Sequence, residues 1–199
     1  GEETEQNRGP GYTWIVDPLD GTTNYLSGYD HWSISIALWD QSGPVLGLVY
    51  KPSNDESFHA ERDKGAWHNG KKLMHAEGMD PSAALIATGT PYRSPDTQTS
   101  FFTALKTVLG TCRDVRRSGS AALDLCYTAA GFFQGFWEVD LQPYDVAAGL
   151  LLLQETGQRC TTFSGTTYDP FKHRSLVCGR PGVYEKLAAA VNTAYQSMQ

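Results

Sequence analysis

Residues 31–38 alternate strictly, with Trp32, Ile34, Ile36 and Leu38 on one face of a strand and Ser33, Ser35 and Ala37 on the other. Apolar stretches at 44–50 and 56–61 read as the next two strands, and 83–87 as a further short one. Asn69-Gly70 is a hairpin signal, because both central positions of that turn need positive φ. After Pro95 the period changes. Apolar residues at 101, 102, 105, 108 and 109 form a helical stripe over 97–109, and 118–130 reads as a second helix rich in Ala and Leu. Residues 132–141 return to a strand, 143–156 form a helix stopped by Gly157, and a strand around Leu176 precedes a final helix from about Gly182. Strands first and alternating elements later predict a layered α+β or α/β body with a seam near 96–110. The division is a β-rich half, 1–110, and an α/β half, 111–199, in one compact unit.

Composition narrows the class. Of 199 residues, 40% are hydrophobic and 19% charged, enough apolar material for a core and too little charge for intrinsic disorder. The 16 basic against 22 acidic residues leave a net charge of −6, which argues against a nucleic-acid backbone binder. The longest aliphatic run, 150–153, falls far short of the ~18 apolar residues of a membrane span. Gly1-Glu2-Glu3-Thr4-Glu5 has neither the charge nor the apolar stretch of a signal peptide. Cys112, Cys126, Cys160 and Cys178 lie too far apart for a zinc site or a disulfide framework; Cys126 and Cys178 read as buried thiols in a reducing, cytoplasmic setting. The five histidines, at 31, 59, 68, 75 and 173, have no ligand spacing and read as structural or surface residues.

Two stretches concentrate chemistry. In Trp14-Ile15-Val16-Asp17-Pro18-Leu19-Asp20-Gly21-Thr22-Thr23-Asn24, an apolar strand runs into two carboxylates three residues apart, then a glycine and two hydroxyls. Asp-Pro-x-Asp-Gly is ordinary turn chemistry. It also suits a hard cation, with Gly21 exposing backbone N–H groups to an anion. In the second stretch, 136–149, alternation puts Glu138 and Asp140 on one face, and Asp145 falls in the first turn of the next helix. Helix capping alone would explain Asp145. The run Ala147-Ala148-Gly149 lets that helix pack closely on a neighbour.

Together, Asp17-Pro18-Leu19-Asp20-Gly21-Thr22-Thr23-Asn24 and Trp137-Glu138 through Pro143-Tyr144-Asp145-Val146-Ala147-Ala148-Gly149 closely resemble the two signatures of the inositol monophosphatase family of Mg²⁺-dependent, lithium-sensitive phosphatases. The similarity spans the chain, from Gly1-Glu2-Glu3 through Arg117-Ser118-Gly119-Ser120-Ala121-Ala122, which looks most like bacterial members. The resemblance implies Glu2, Asp17, Asp20, Asp145 and the Leu19 carbonyl as metal ligands, with Asp17 bridging two ions. It gives phosphate contacts to the N–H groups of Gly21 and Thr22, water positioning to the Thr22 hydroxyl, and substrate-alcohol contacts to Glu138, Gly119, Ser120 and Ala121. Four such carboxylates could not all stay charged without cations. Two Mg²⁺ ions would offset them, and a third, weaker one would arrive with the substrate phosphate.

The fold implied is a sugar-phosphatase-like α/β/α/β/α sandwich, expected as a homodimer. Family members carry two further helices before Gly-Glu-Glu, with an acidic partner for the threonine; this chain starts without that helical layer, which we expect in a longer gene product. Tyr144 stands where the family usually has Trp, and Gln158 where it has a second Gly. Gly-Thr-Thr-Asn after Asp20 favours inositol monophosphate or a similar polyol phosphate over adenosine 3′,5′-bisphosphate or histidinol phosphate, whose enzymes more often carry Lys after the first Thr. Fructose 1,6-bisphosphate and nucleotide phosphates stay open as substrates. A different class also stays open: some bacterial members resembling this one act as RNA-polymerase-associated factors in ribosomal RNA transcription, for which Arg113, Arg116 and Arg117 would be the contact. A metal-free structural relic of the family would bind no Mg²⁺.

Overall fold

The computed structural model describes residues 11–196. Strands β1 (Thr13–Asp20), β2 (Ser33–Asp40), β3 (Gly43–Lys51), β4 (Glu56–Glu61), β5 (Gly65–His68) and β6 (Lys71–Lys72) pair antiparallel in chain order, with the short helix α1 (Thr22–Leu26) between the first two. Asn69 and Gly70 both take positive φ, 48° and 74°, in the β5–β6 hairpin, as their sequence predicts. A second sheet holds β7 (Leu85–Thr88), β8 (Asp114–Arg116), β9 (Gly135–Glu138), β10 (Arg159–Thr161) and β11 (Leu176–Gly179) in the order β10-β11-β9-β7-β8. In that sheet β7 runs parallel to both β8 and β9. The chain passes between sheets from Lys72 to Leu85, ahead of the stretch where the hydrophobic period changes.

Helices α2 (Gln98–Leu109), α3 (Ala121–Ala129), α4 (Pro143–Glu155) and α5 (Val183–Gln196) complete the architecture. The α3–α4 pair lies between the sheets, α4 against β2, β3 and β4, and α3 against β7 and β9. On the far side of the second sheet α2 and α5 pack together. Strand alternation divides the two cores: Ala87, Phe136 and Cys178 face α3 and α4, whereas Ile86, Trp137 and Val177 face α2 and α5. The described residues therefore stack as sheet, helices, sheet, helices, the layered α/β body expected. No helix among them is long and apolar enough to cross a membrane.

The β2 strand shows how the first layer packs. Ser33, Ser35, Ala37 and Trp39 are its buried face, and Ile34, Ile36 and Leu38 its half-buried one. The small residues turn inward because the α4 backbone comes close: a Cβ on Gly47 of β3 would sit 2.7 Å from the Ala148 carbonyl oxygen. Trp39 fits there by donating its indole N–H to the Ala147 carbonyl at 3.3 Å. Ala147-Ala148-Gly149 thus packs closely on both sides, since a Cβ on Gly149 would meet Leu125 of α3 at 2.6 Å. On the outer face, in register with Ile36 and Leu38, Trp14, Val16, Leu46 and Leu48 are exposed.

Candidate metal and phosphate site

Two carboxylates come from the end of β1. Its pairing with β2 is regular up to Asp17↔Ser35 and resumes at Asp20↔Ser33, so residues 18–19 form a bulge. The Asp17 carboxylate accepts the Leu19 N–H at 3.0 Å across that bulge. The Asp-Pro-x-Asp-Gly stretch is therefore a bulged strand end, where the sequence read a tight turn after Asp17; the chain reverses only at Gly21. Gly21 has φ 85°, and a Cβ there would lie 3.0 Å from the His31 carbonyl oxygen and 3.2 Å from that of Gly119. Thr22 Oγ1 donates to the Leu19 carbonyl at 3.0 Å, joining two of the predicted site groups. Buried Asn24 donates to the carbonyls of His31 (2.7 Å) and Ser118 (3.0 Å), tying this turn to the chain entering α3.

The other elements meet the turn there. Ser120 caps α3, accepting the Leu123 N–H at 3.3 Å, so the helix starts at Ala121, a few residues inside the 118–130 span read from the sequence. Its hydroxyl donates to Asp20 Oδ2, which also accepts the Ala122 N–H at 3.1 Å. Asp145 opens α4 and does cap it: the Gln142 N–H donates to Asp145 Oδ2 at 2.6 Å. Capping and site membership coexist, because oxygens of Asp17, Asp20 and Asp145 all lie within 4.8 Å of one another. Burial first, then Asp145 and Asp17, push the Asp20 carboxyl up to about 8, against the Ser120 hydrogen bond. Three carboxylates converging this closely fit a hard cation with oxygen ligands. Glu2 lies outside the described residues.

One pocket gathers Asp17, Leu19, Asp20, Gly21 and Thr22 with Gly119, Ser120, Ala121, Glu138 and Asp145. Glu138, the last residue of β9, lies against Gly89, where a Cβ would come within 1.9 Å of its carboxyl oxygen. Burial pushes its carboxyl well above the ordinary range, and Asp124, Asp145 and Asp20 add to that. The strand ends at Glu138 instead of running on to 141, and Asp140 takes φ 63°, so the alternation predicted for the two acids does not extend that far.

Sequence reasoning missed part of this wall. Gly89, Thr90, Tyr92 and Arg93 line it from the segment between β7 and α2, which carries no motif. Buried Asp124 on α3, its carboxyl pushed up by burial and by Asp20, was legible only as a polar residue in an apolar helix. Arg113, Arg116 and Arg117 are all exposed; Arg116 pairs with Asp114, and Arg117 also lines the pocket. No histidine lines the pocket; His68 bonds Glu56 at 2.7 Å and His59 stacks on Trp67. All four cysteines are free, Cys126 and Cys178 buried.

Comparison with known proteins agrees with this geometry. The family model described as the inositol monophosphatase family matches residues 1–196. The chain is 42% identical over 193 residues to the inositol-1-monophosphatase of Rhizobium meliloti (strain 1021), covering 96% of this chain and 72% of that protein. It is 38% identical over 176 residues to the Nus factor SuhB of Escherichia coli (strain K12), covering 88% of this chain and 66% of the relative. The solved inositol monophosphatase from Anabaena (Nostoc) sp. PCC 7120 superposes with a TM-score of 0.87 at 33% identity, over 94% of this chain and 74% of that one. The chain thus spans about two thirds to three quarters of these relatives. On matched length, identity and fold together, the chain belongs to the inositol monophosphatase family.

Proposed function

We propose that this site hydrolyses phosphate monoesters of small polyols, inositol monophosphate first among them, to the alcohol and inorganic phosphate. The convergence of Asp17, Asp20 and Asp145 beside the Gly21–Thr22 turn carries the reading. Magnesium is the cation assigned, two or three ions per site, with Asp17, Asp20, Asp145, the Leu19 carbonyl and Glu2 as its holders. Bound there, it would neutralise phosphate charge and lower the pKa of an attacking water.

The chain's own groups do the rest. Gly21 and Thr22 offer backbone N–H groups to the phosphate oxygens. Thr22 Oγ1 gives its hydrogen to the Leu19 carbonyl, which leaves its lone pairs to accept a hydrogen bond from water and so orient it. Glu138 with Gly119, Ser120 and Ala121 holds the alcohol part, and water attack needs no covalent enzyme intermediate. Phosphate release from inositol 1-phosphate that requires Mg²⁺ and disappears in Asp20→Asn tests the reading. A metal-independent rate surviving that change would refute it.

The 38% identity to the Nus factor SuhB favours a second role: contact with RNA polymerase in ribosomal RNA transcription, through exposed Arg113, Arg116 and Arg117. Asp20→Asn would then keep a cellular phenotype that changes at these arginines lose. We place the protein in the cytoplasm as a lithium-sensitive homodimer on the family resemblance; a monomeric mass in solution would contradict the dimer.

A further inference from the structure

Two of the free cysteines stand directly opposite each other at the edge of the second sheet. β10 is an edge strand, paired antiparallel with β11, and the register sets Cys160 against Cys178. Residues opposed in such a pair point to one face, with Cα atoms about 4.5–5.5 Å apart. A disulfide spans about 4.4–6.8 Å between the same atoms, so the backbone already suits one. Both side chains join the core that α3 and α4 form with the sheets, and the two thiols hydrogen-bond each other. The sequence hides this pairing behind the loop 162–175, which separates the two strands.

The pair is asymmetric. Cys178 is fully buried, and burial pushes its thiol well above the ordinary range, so it reacts poorly with a dissolved oxidant. Cys160 is half-buried, on the edge strand. The loop between them bears on the site. Its Arg174 carbonyl accepts the Leu141 N–H at 3.0 Å, and Leu141 lines the pocket. Phe171 packs edge-on against Trp39, ring centroids 5.4 Å apart, and Trp39 bonds the α4 backbone at Ala147.

We propose that Cys160 and Cys178 are a reversible disulfide site, closed by hydrogen peroxide and opened by dithiols, that clamps the base of this loop. Peroxide oxidises the Cys160 thiol to a sulfenic acid and leaves as one water. The Cys178 sulfur then attacks that sulfur to form the S–S bond, and its proton leaves with the displaced hydroxide as a second water. The two thiols thus give two hydrogens and two electrons to one peroxide. A dithiol reopens the bond by exchange and is itself oxidised to a disulfide. The inference is independent of the phosphatase reading.

The test treats folded wild type, Cys160→Ser and Cys178→Ala with hydrogen peroxide, then maps the thiols by alkylation and peptide mass. Wild type should lose two of its four thiols, with Cys160 joined to Cys178 within one chain, and dithiothreitol should restore both. Its melting temperature should rise by about 5–10 °C on oxidation, the effect of closing a loop of this size in a chain of this length. Cys160→Ser should form no link and show no rise. In Cys178→Ala, Cys160 should stop at a sulfenic acid that dimedone traps. Oxidised wild type that keeps all four thiols, links other cysteines, or carries Cys160 to a sulfinic acid without a link overturns the site. A mapped link that leaves the melt unchanged overturns the clamp.

Discussion

Asp17, at the end of the first strand, and Asp145, in the first turn of the fourth helix, bring carboxylate oxygens to within 4.8 Å of each other, with Asp20 completing the group. The two elements are in direct contact, and the small residues that let α4 lie close to the sheet also set this distance. Packing and chemistry are thus one arrangement.

Asp20→Asn should separate stability from activity. Asp20 is buried beside two carboxylates with its pKa pushed up to about 8, so ionising it at neutral pH costs the metal-free fold stability. The variant should lose at least about a thousandfold in Mg²⁺-dependent turnover. Its metal-free melting temperature should equal or exceed that of wild type, and added Mg²⁺ should raise it less. Thermal melts with and without Mg²⁺ check this; a large loss of metal-free stability would contradict it.

Gly89→Ala should act on Glu138 without touching it chemically. The new Cβ would overlap the Glu138 carboxyl, at 1.9 Å, and push it from its place in the pocket. We expect kcat/KM to fall by about ten- to a hundredfold, since small displacements of positioning groups are costly. Steady-state kinetics would show it.

Gly47→Ala should destabilise by about 1–3 kcal/mol, because a Cβ 2.7 Å from the Ala148 carbonyl forces α4 off the sheet. Gly11→Ala, where nothing lies within 4 Å, is the control and should change little. Urea unfolding of both compares them.

Glu56 predicts a pH effect. Burial alone would raise its carboxyl, but hydrogen bonds from Tyr127 (2.7 Å), His68 (2.7 Å) and Asn54 (3.3 Å) outweigh that and hold it below the ordinary value. A depressed folded pKa means the stabilisation is present above the ordinary carboxylate range and is lost as pH falls through it. Glu56→Gln should therefore flatten the acid limb of the stability curve, measured by chemical unfolding between pH 7 and pH 3. Glu56→Ala should cost about 1–3 kcal/mol at neutral pH by stranding the Tyr127 hydroxyl.

The elements with local signals were legible. The helix with an apolar stripe, 98–109, and the one capped by Ser120 fall within a few residues of their predicted ends. The paired positive φ values of Asn69 and Gly70 were legible in the Asn-Gly pair itself, the residues that tolerate that conformation best. Which face of β2 is buried was not legible, because the small face turns inward only in response to α4, more than a hundred residues further on. The same reason hid the wall formed by Gly89, Thr90, Tyr92 and Arg93: no spacing rule joins it to Glu138 or Arg117, and only the parallel pairing of β7 with β9 and β8 brings them together. The carboxylates were legible as motifs, but their meeting is a property of packing.

The most direct test of the central claim is phosphate release from inositol 1-phosphate, with and without Mg²⁺, by wild type and by Asp17→Asn and Asp145→Asn. Turnover that requires Mg²⁺ and is lost in both variants is the predicted result. Folded, Mg²⁺-loaded wild type that releases no phosphate, or variants that keep the wild-type rate, would contradict the claim that these carboxylates form a catalytic metal site.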